Sequence, residues 1–246
     1  MQKVISKFSY SEYQDILEAF EGKWAMFHEV TDKPFVLMRH DVEFSVHRAY
    51  SLGKIETENS VKSTFNFQVC CETYNIASNI NRKKVRELKK AGHEIGLHFY
   101  AGHLENQDLD KLIVNLHKQK DILESAIDIE ISTFSFHRPK QWMLEIREDL
   151  VGGMINQYGN SFFEYSNKPQ NIKYIADSRH SWDYGYPLDL TDKCRLQILT
   201  HPDEWSINGL NEKDNFMALK TELTKNISDA FLAESPRNFT KYKGKI

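Results

Sequence analysis

The sequence predicts an α/β protein whose residues 1–246 form one barrel-like domain. Three observations predict it. Short β-rich runs alternate with longer stretches of helical period along the whole chain, which argues for a parallel sheet covered by helices, with about seven strands. No linker rich in Pro, Gly or Ser divides the 246 residues, and no internal repeat or low-complexity segment is present. Finally, aromatic residues reach 12%, with fifteen Phe and eleven Tyr, so the chain has the means to build a large core and is not disordered.

The elements follow in order. A helix is expected over 11–21, capped by Ser9 or Ser11, with Ile16, Leu17 and Phe20 on one face. Residues 34–38 read as a buried strand, 46–59 as a helix, and 63–69 as an alternating strand. The basic stretch 81–90 is helical and ends at Gly92, a residue suited to the left-handed position past a helix. A strand at 93–97 precedes the helix 109–126, which carries Leu112, Ile113, Leu116 and Leu123 at helical spacing. Strands at 132–136, 173–176 and 195–200 come next, and a long helix over 213–232 closes the chain.

Charge and cysteine usage narrow the classes. The 32 basic and 35 acidic residues leave a net charge of −3 with no long block of one sign, which excludes a nucleic-acid footprint. The mean hydropathy is −0.57, and no apolar run reaches the eighteen or so residues of a membrane helix. The first ten residues lack the apolar stretch of a secretory signal. Three cysteines, two of them adjacent, are neither a disulfide framework nor a thiolate zinc site. The expected location is a reducing cytoplasm.

In a barrel of this kind, side chains that do chemistry gather where strands end. Of the ten histidines, His40, His98, His137, His180 and His201 fall at or just after an expected strand end, accompanied by Asp41, Glu43, Asp177 and Asp203. Imidazole and carboxylate without thiolate suit a divalent metal, zinc first. Asp41 and Glu43 stand two apart and project to one side, so one can hold a metal while the other takes a proton. His98 and His103, about 140° apart on a helix, can share a metal only from a loop, which Gly102 permits. Arg138, beside Pro139, can hold an acid or a substrate oxygen, and Asp177 is its natural partner. His201 is a proton-donor candidate. His93, at the wrong end of its strand, reads as structural.

The order of these motifs from Arg39 to Pro202 resembles the polysaccharide deacetylases of carbohydrate esterase family four, in the cytosolic branch with an Arg-His-Asp-Val-acid first motif. Gly92-His-Glu-Ile-Gly-Leu-His98 is the most specific piece. The resemblance implies an irregular (β/α) barrel, of distorted TIM-like form, and a divalent metal, usually zinc, that removes acetyl from an N-acetylated sugar. It makes Asp41 and Glu43 the paired acids, with Asp41 favoured as base and Glu43 as ligand, or the reverse. His98 resembles the first metal histidine. His103 stands one residue beyond the place of the second, which here is Gly102. Arg138 resembles the arginine that holds the base, Asp177 its partner, and His201 the general acid. Tyr100 and Trp182, with Phe99 and Trp205 nearby, are aromatics able to stack on a sugar ring.

From the family and the expected location, the substrate is a lipid- or nucleotide-linked precursor of a surface polysaccharide. Two rivals stand beside this reading. One is a metal hydrolase for another C–N bond, such as a cyclic amide or ureide. The other is a non-catalytic carbohydrate-binding relative.

Overall fold

The computed structural model describes residues 7–102, 104, 107–164, 172–182 and 184–238. Among these, nine strands form one sheet: β1 (Trp24–Ala25), β2 (Phe35–Val42), β3 (Thr64–Phe67), β4 (Glu94–Tyr100), β5 (Thr133–His137), β6 (Leu150–Val151), β7 (Met154–Asn156), β8 (Lys173–Ala176) and β9 (Arg195–Thr200). Their order is β6-β7-β5-β4-β3-β2-β9-β8, with β1 also pairing β2, and every pairing is parallel except β6 with β7. The sheet curls into a distorted (β/α) barrel, as the alternation of elements predicts. Five α-helices accompany it: α1 (Tyr10–Ala19), α2 (Val46–Glu58), α3 (Asn79–Lys90), α4 (Leu109–Ile127) and α5 (Glu212–Asn238). None of the described helices is long and apolar enough to cross a membrane.

Local chemistry starts and stops these helices. Ser9, Ser45, Ser78 and Asp108 each accept a backbone N–H of the first turn of α1, α2, α3 and α4. Gly92, at φ +100°, carries the chain out of α3, in a conformation other residues adopt at a cost. Leu112, Leu116, Leu123 and Ile127 of α4 are buried, in one cluster with Phe65, Phe67, Phe99, Phe134 and Phe136 from the strands. A second cluster joins Tyr13, Ile16 and Leu17 of α1 to Val36, Ile198 and Trp205.

Two boundaries differ from expectation in a way that matters. β2 runs on to Val42 and β4 to Tyr100, so Arg39, His40, Asp41 and His98 lie within strands rather than in the loops beyond them. All eight residues of β2 are buried. A strand this charged is stable inside because its charged side chains meet partners there, Arg39 beside Asp41 and Tyr158, and His40 beside Glu56 and Thr200. The short β1, β6 and β7 lack a sequence signal, being two or three residues each.

Candidate metal centre and active site

Side chains alternate between the two faces of a strand, and four strands in register sort the polar residues from the apolar ones. Asp41 of β2 lies opposite Asn66 of β3, Asn66 opposite Gly96 of β4, and His98 opposite Ser135 of β5. These inward positions carry a continuous hydrogen-bonded layer. Asn66 Nδ2 donates to Asp41 Oδ1 at 2.9 Å, and Gln157 exchanges two amide bonds with Asn66, both 2.9 Å. Gly96 is required by this layer, since a Cβ there would collide with Asn66 Oδ1. The intervening residues, Phe65, Leu97, Phe134 and Phe136, belong to the core under the helices.

At the C-terminal end of the layer, Glu43, His98 and His137 converge. Glu43 Oε1 lies 2.9 Å from His137 Nδ1 and 3.4 Å from His98 Nε2, and the two ring nitrogens are 3.1 Å apart. Donors at about 2.0–2.1 Å around a tetrahedral zinc would stand about 3.3 Å from one another. One carboxylate and two imidazoles at these separations therefore fit a divalent metal, with Glu43, His98 and His137 as its protein ligands.

The tautomer of His98 is fixed from behind. Ser135 Oγ donates its one proton to Asp41 Oδ1 at 2.7 Å, so at 2.8 Å it must accept from His98 Nδ1. In the neutral ring Nε2 is then bare toward Glu43 and His137, the state a metal-binding imidazole needs, whereas in the protonated ring the same nitrogen donates to Glu43. Burial pushes the Glu43 carboxyl up, but hydrogen bonds with His137 and His98 outweigh it and hold the group far below the usual carboxylate range. For buried Asp41, desolvation is likewise outweighed, by the charges of His98, Arg39 and His201 and by the Ser135 hydrogen bond, and its pKa is lowered.

Arg39, fully buried, places Nη2 3.6 Å from Asp41 Oδ2 and donates from Nη2 to the Tyr158 hydroxyl at 2.8 Å. Its guanidinium lies 4.5 Å from the centre of the Tyr158 ring and 5.8 Å from that of Tyr174. The arginine beside Asp41 is thus the one that opens the first motif.

His201 forms a second polar unit. Its Nδ1 donates to Asp177 Oδ1 at 2.7 Å, and its backbone N–H reaches the same carboxylate. Burial pulls the His201 pKa down, but the Asp177 hydrogen bond and charge overcome it and lift it to about 10. Asp203, two residues on, is pushed up to about 7: burial raises it, His201 lowers it, and the neighbouring acids Glu204 and Glu43 raise it further.

The structure separates the residues that sequence reasoning grouped. Asp41, Glu43 and His98 come together, and His137, singled out only as a strand-end histidine, joins them as the third donor. Its signal was the alternation Thr133, Ser135, His137, which shares one face with His98 across the register. His103 lies outside the described residues. Asp177 is bound to His201 and to Trp205 Nε1, not to Arg138, because it follows β8, which lies beside β9, while Arg138 follows β5. Arg138 itself sits at a positive φ of 49°. His40 points to the opposite face, between Glu56 at 2.9 Å and Thr200 at 2.6 Å, and stacks on Phe65. His180 is held by Glu204 and the Leu210 carbonyl, and His93 by Gly53, Thr57 and Ser63. Tyr100 is 37% exposed with its ring 5.7 Å from that of His137, so it borders the centre. Trp182 packs on Phe8, Tyr186 and Trp205 in the second cluster, and both Phe99 and Trp205 are fully buried. The three cysteines are free thiols.

No protein-family model matches the chain, and no curated protein matches it. Solved structures do. A carbohydrate esterase family 4 pseudoenzyme from Bacillus anthracis is 16% identical over 79% of this chain and 62% of its own, with a TM-score of 0.45. The chain thus spans less than two thirds of that protein's length. The chitin deacetylase of the fungal pathogen Colletotrichum lindemuthianum is 13% identical, covering 78% and 83% of the two chains at a TM-score of 0.45. A family 4 carbohydrate esterase from Streptomyces lividans is 14% identical, covering 77% and 88% at 0.46. These are likenesses of fold, to a chitin deacetylase, a carbohydrate esterase and a pseudoenzyme.

Proposed function

We propose that this protein is a metal-dependent amide hydrolase that removes the acetyl group from an N-acetylated sugar. The observation that carries the reading is the Glu43–His98–His137 triad with the His201–Asp177 pair beside it. The motifs that resemble the polysaccharide deacetylases supply the substrate class. A divalent ion, zinc by its donor set, supplies an acidified water and polarises the acyl carbonyl when bound.

The chain's own residues account for the proton movements. Asp41 is held ionised, against the cost of burial, by the charges of His98, Arg39 and His201 and by the Ser135 hydrogen bond. Its Oδ1 is occupied by Asn66 and Ser135, so Oδ2 is the atom that takes the proton of the attacking water. Arg39 keeps that oxygen charged until the proton arrives. His201 carries one proton toward Asp177, and its raised pKa keeps a second on Nε2 at neutral pH. That proton goes to the departing nitrogen, which cannot leave as an anion. Tyr100 borders the acyl site. The physiological substrate is a carrier-linked precursor of a surface polysaccharide, used in the cytoplasm.

The test is acetate release from N-acetylated sugar glycosides by zinc-loaded protein, repeated with Asp41→Asn and His201→Ala. Activity should fall at least 100-fold in each variant while metal content stays stoichiometric. Full activity in either variant, or none in the parent, would overturn the assignment.

A further inference from the structure

A groove of about 660 Å3 runs along the first half of α5, and two of its lining residues neighbour the candidate centre in the chain. They are Phe44, which follows Glu43, and Asp203, two residues beyond His201 and close enough to His201 and Glu43 to feel their charges. Thr73, on the same wall, donates from Oγ1 to the carbonyl of Phe44 at 3.1 Å.

The groove has a polar end and an apolar length. Asp203 is 8% exposed, and its Oδ1 is the one buried carboxylate oxygen among the described residues without a hydrogen-bond partner. A bare buried acceptor is costly, and one held in a fixed place points to a donor that arrives with a ligand. The backbone that carries Asp203 is held: its carbonyl accepts from Arg48 Nη1 at 2.6 Å and from Asn215 Nδ2 at 2.8 Å. Arg48 also grips Glu222 of α5 with two bonds, at 2.9 and 2.8 Å, so the turn and the helix are clamped together. Farther along, successive turns of α5 present Phe216, Leu219, Leu223 and Ile227 to the groove. Phe216 and Ile227 are 62% and 69% exposed. From one to the other is about 16 Å at the helical rise.

We propose that this groove is a second subsite of the same centre and takes an apolar aglycone, a hydrocarbon chain that carries the acetylated sugar. The inference rests on the deacetylase reading and narrows its substrate class. Asp203 accepts a hydroxyl of the sugar at the polar end of the groove, and the α5 side chains cover the hydrocarbon. The closeness of that end to the centre selects the substrate's own chain over a folded partner, which would close the way to Asp203. A nucleotide carrier would press the polar edge of its base against Leu219, Leu223 and Ile227.

The test is calorimetric binding of the methyl and octyl glycosides of N-acetylglucosamine to the parent protein, Ile227→Glu and Asp203→Ala. Octyl maltoside and uridine diphosphate N-acetylglucosamine serve as controls. The parent should bind the octyl glycoside at least about tenfold more tightly than the methyl glycoside. Ile227→Glu, a change at an exposed position, should remove that advantage and leave methyl glycoside binding unchanged. Asp203→Ala should weaken both about tenfold. Equal affinity for the two glycosides, equal binding of octyl maltoside, tighter binding of the nucleotide sugar, or no binding of either glycoside would each overturn the inference. So would a dimer in sedimentation that Ile227→Glu dissolves, which would make the groove a contact between copies. Acetate release, measured separately with zinc-loaded protein, tells the two readings apart. Chain-dependent binding without acetate keeps the groove and removes the hydrolase. Acetate released equally well from both glycosides, with no chain preference in binding, does the opposite.

Discussion

His201 and Asp177 are joined twice, by the ring Nδ1 at 2.7 Å and by the backbone N–H at 3.0 Å, and Trp205 Nε1 adds a third donor to the same carboxylate at 2.8 Å. The double connection fixes the imidazole against the end of β9 and commits Nδ1 to carrying a proton. Because the protonated form persists to about pH 10, Nε2 is loaded across the neutral range. In the unfolded chain an imidazole titrates near 6.5. The pair's stabilisation is therefore fully present below about pH 6.5 and is lost as pH rises toward 10. Asp177→Asn should lower the His201 pKa by at least about two units, read by NMR titration of the metal-free protein. An unchanged pKa would detach His201 from this carboxylate.

The Ser135 hydroxyl links Asp41 to His98 and so determines which ring nitrogen of His98 is free. Ser135→Ala should weaken metal affinity about 10–100-fold, the usual effect of losing a partner behind a ligand. His137→Ala and Glu43→Ala should be more severe than Ser135→Ala, because each removes a donor atom of the triad. Competition with a chromophoric chelator measures all three. Metal binding untouched in His137→Ala would remove that histidine from the centre.

Much of this was legible in the sequence, and the misplacements share one cause. The strands at 173–176 and 195–200 and the helices around 46–59 and 109–126 follow from period and caps, and the structure places them within a residue or two. Asp41, Glu43, His98 and His201 were legible because residue type and position agreed. The sequence does not show how far a strand continues once it becomes charged. Ending β2 at residue 38 put Arg39 and His40 in a loop, where alternation says nothing about which way each points. Extended to Val42, the same strand sends Arg39 and Asp41 inward and His40 outward. Arg138 drew attention because it sits beside a proline, yet the buried Arg39, two residues from Asp41 on the same strand, is the closer cation. The pairing of Asp177 with His201 depends on β8 lying beside β9, a neighbour relation that no local pattern encodes.

Arg39 carries a buried charge whose nearest acid is Asp41, and removing it would leave that acid uncompensated. Arg39→Met should destabilise the protein by about 3–5 kcal/mol. The pH dependence has a definite sign. A depressed Asp41 pKa gives stability that is present above the ordinary carboxylate value of 3.8 and is lost as pH falls below it. With the guanidinium gone, the Asp41 pKa rises, and the acid loss should begin at higher pH than in the parent. Urea unfolding between pH 3 and pH 7 would show this, and parallel curves for the two proteins would contradict it.

On the outer face of the sheet, Glu56 is a hub with no role at the centre. Its carboxylate accepts from Tyr13 at 2.7 Å, from His40 at 2.9 Å and from Ser63 at 2.6 Å, with His93 3.6 Å away and no solvent exposure. These contacts tie α1, β2 and the start of β3 to α2, which makes the cluster a fastening of helix layer to sheet. Burial alone would raise the Glu56 pKa, yet His40, His93 and Ser63 hold it below the usual value. Glu56→Ala strips the carboxylate from three buried donors at once and should cost about 3–5 kcal/mol, visible as a large fall in Tm. His40→Ala should also lower Tm, by a smaller amount, since Glu56 keeps its other partners. Neither change touches the inward layer, so zinc stoichiometry in the folded fraction should stay at the parental value for both. The pair of measurements tests the division of faces directly. A His40→Ala protein that stays folded but no longer retains zinc would place His40 at the centre and break the strand alternation on which the ligand assignment rests.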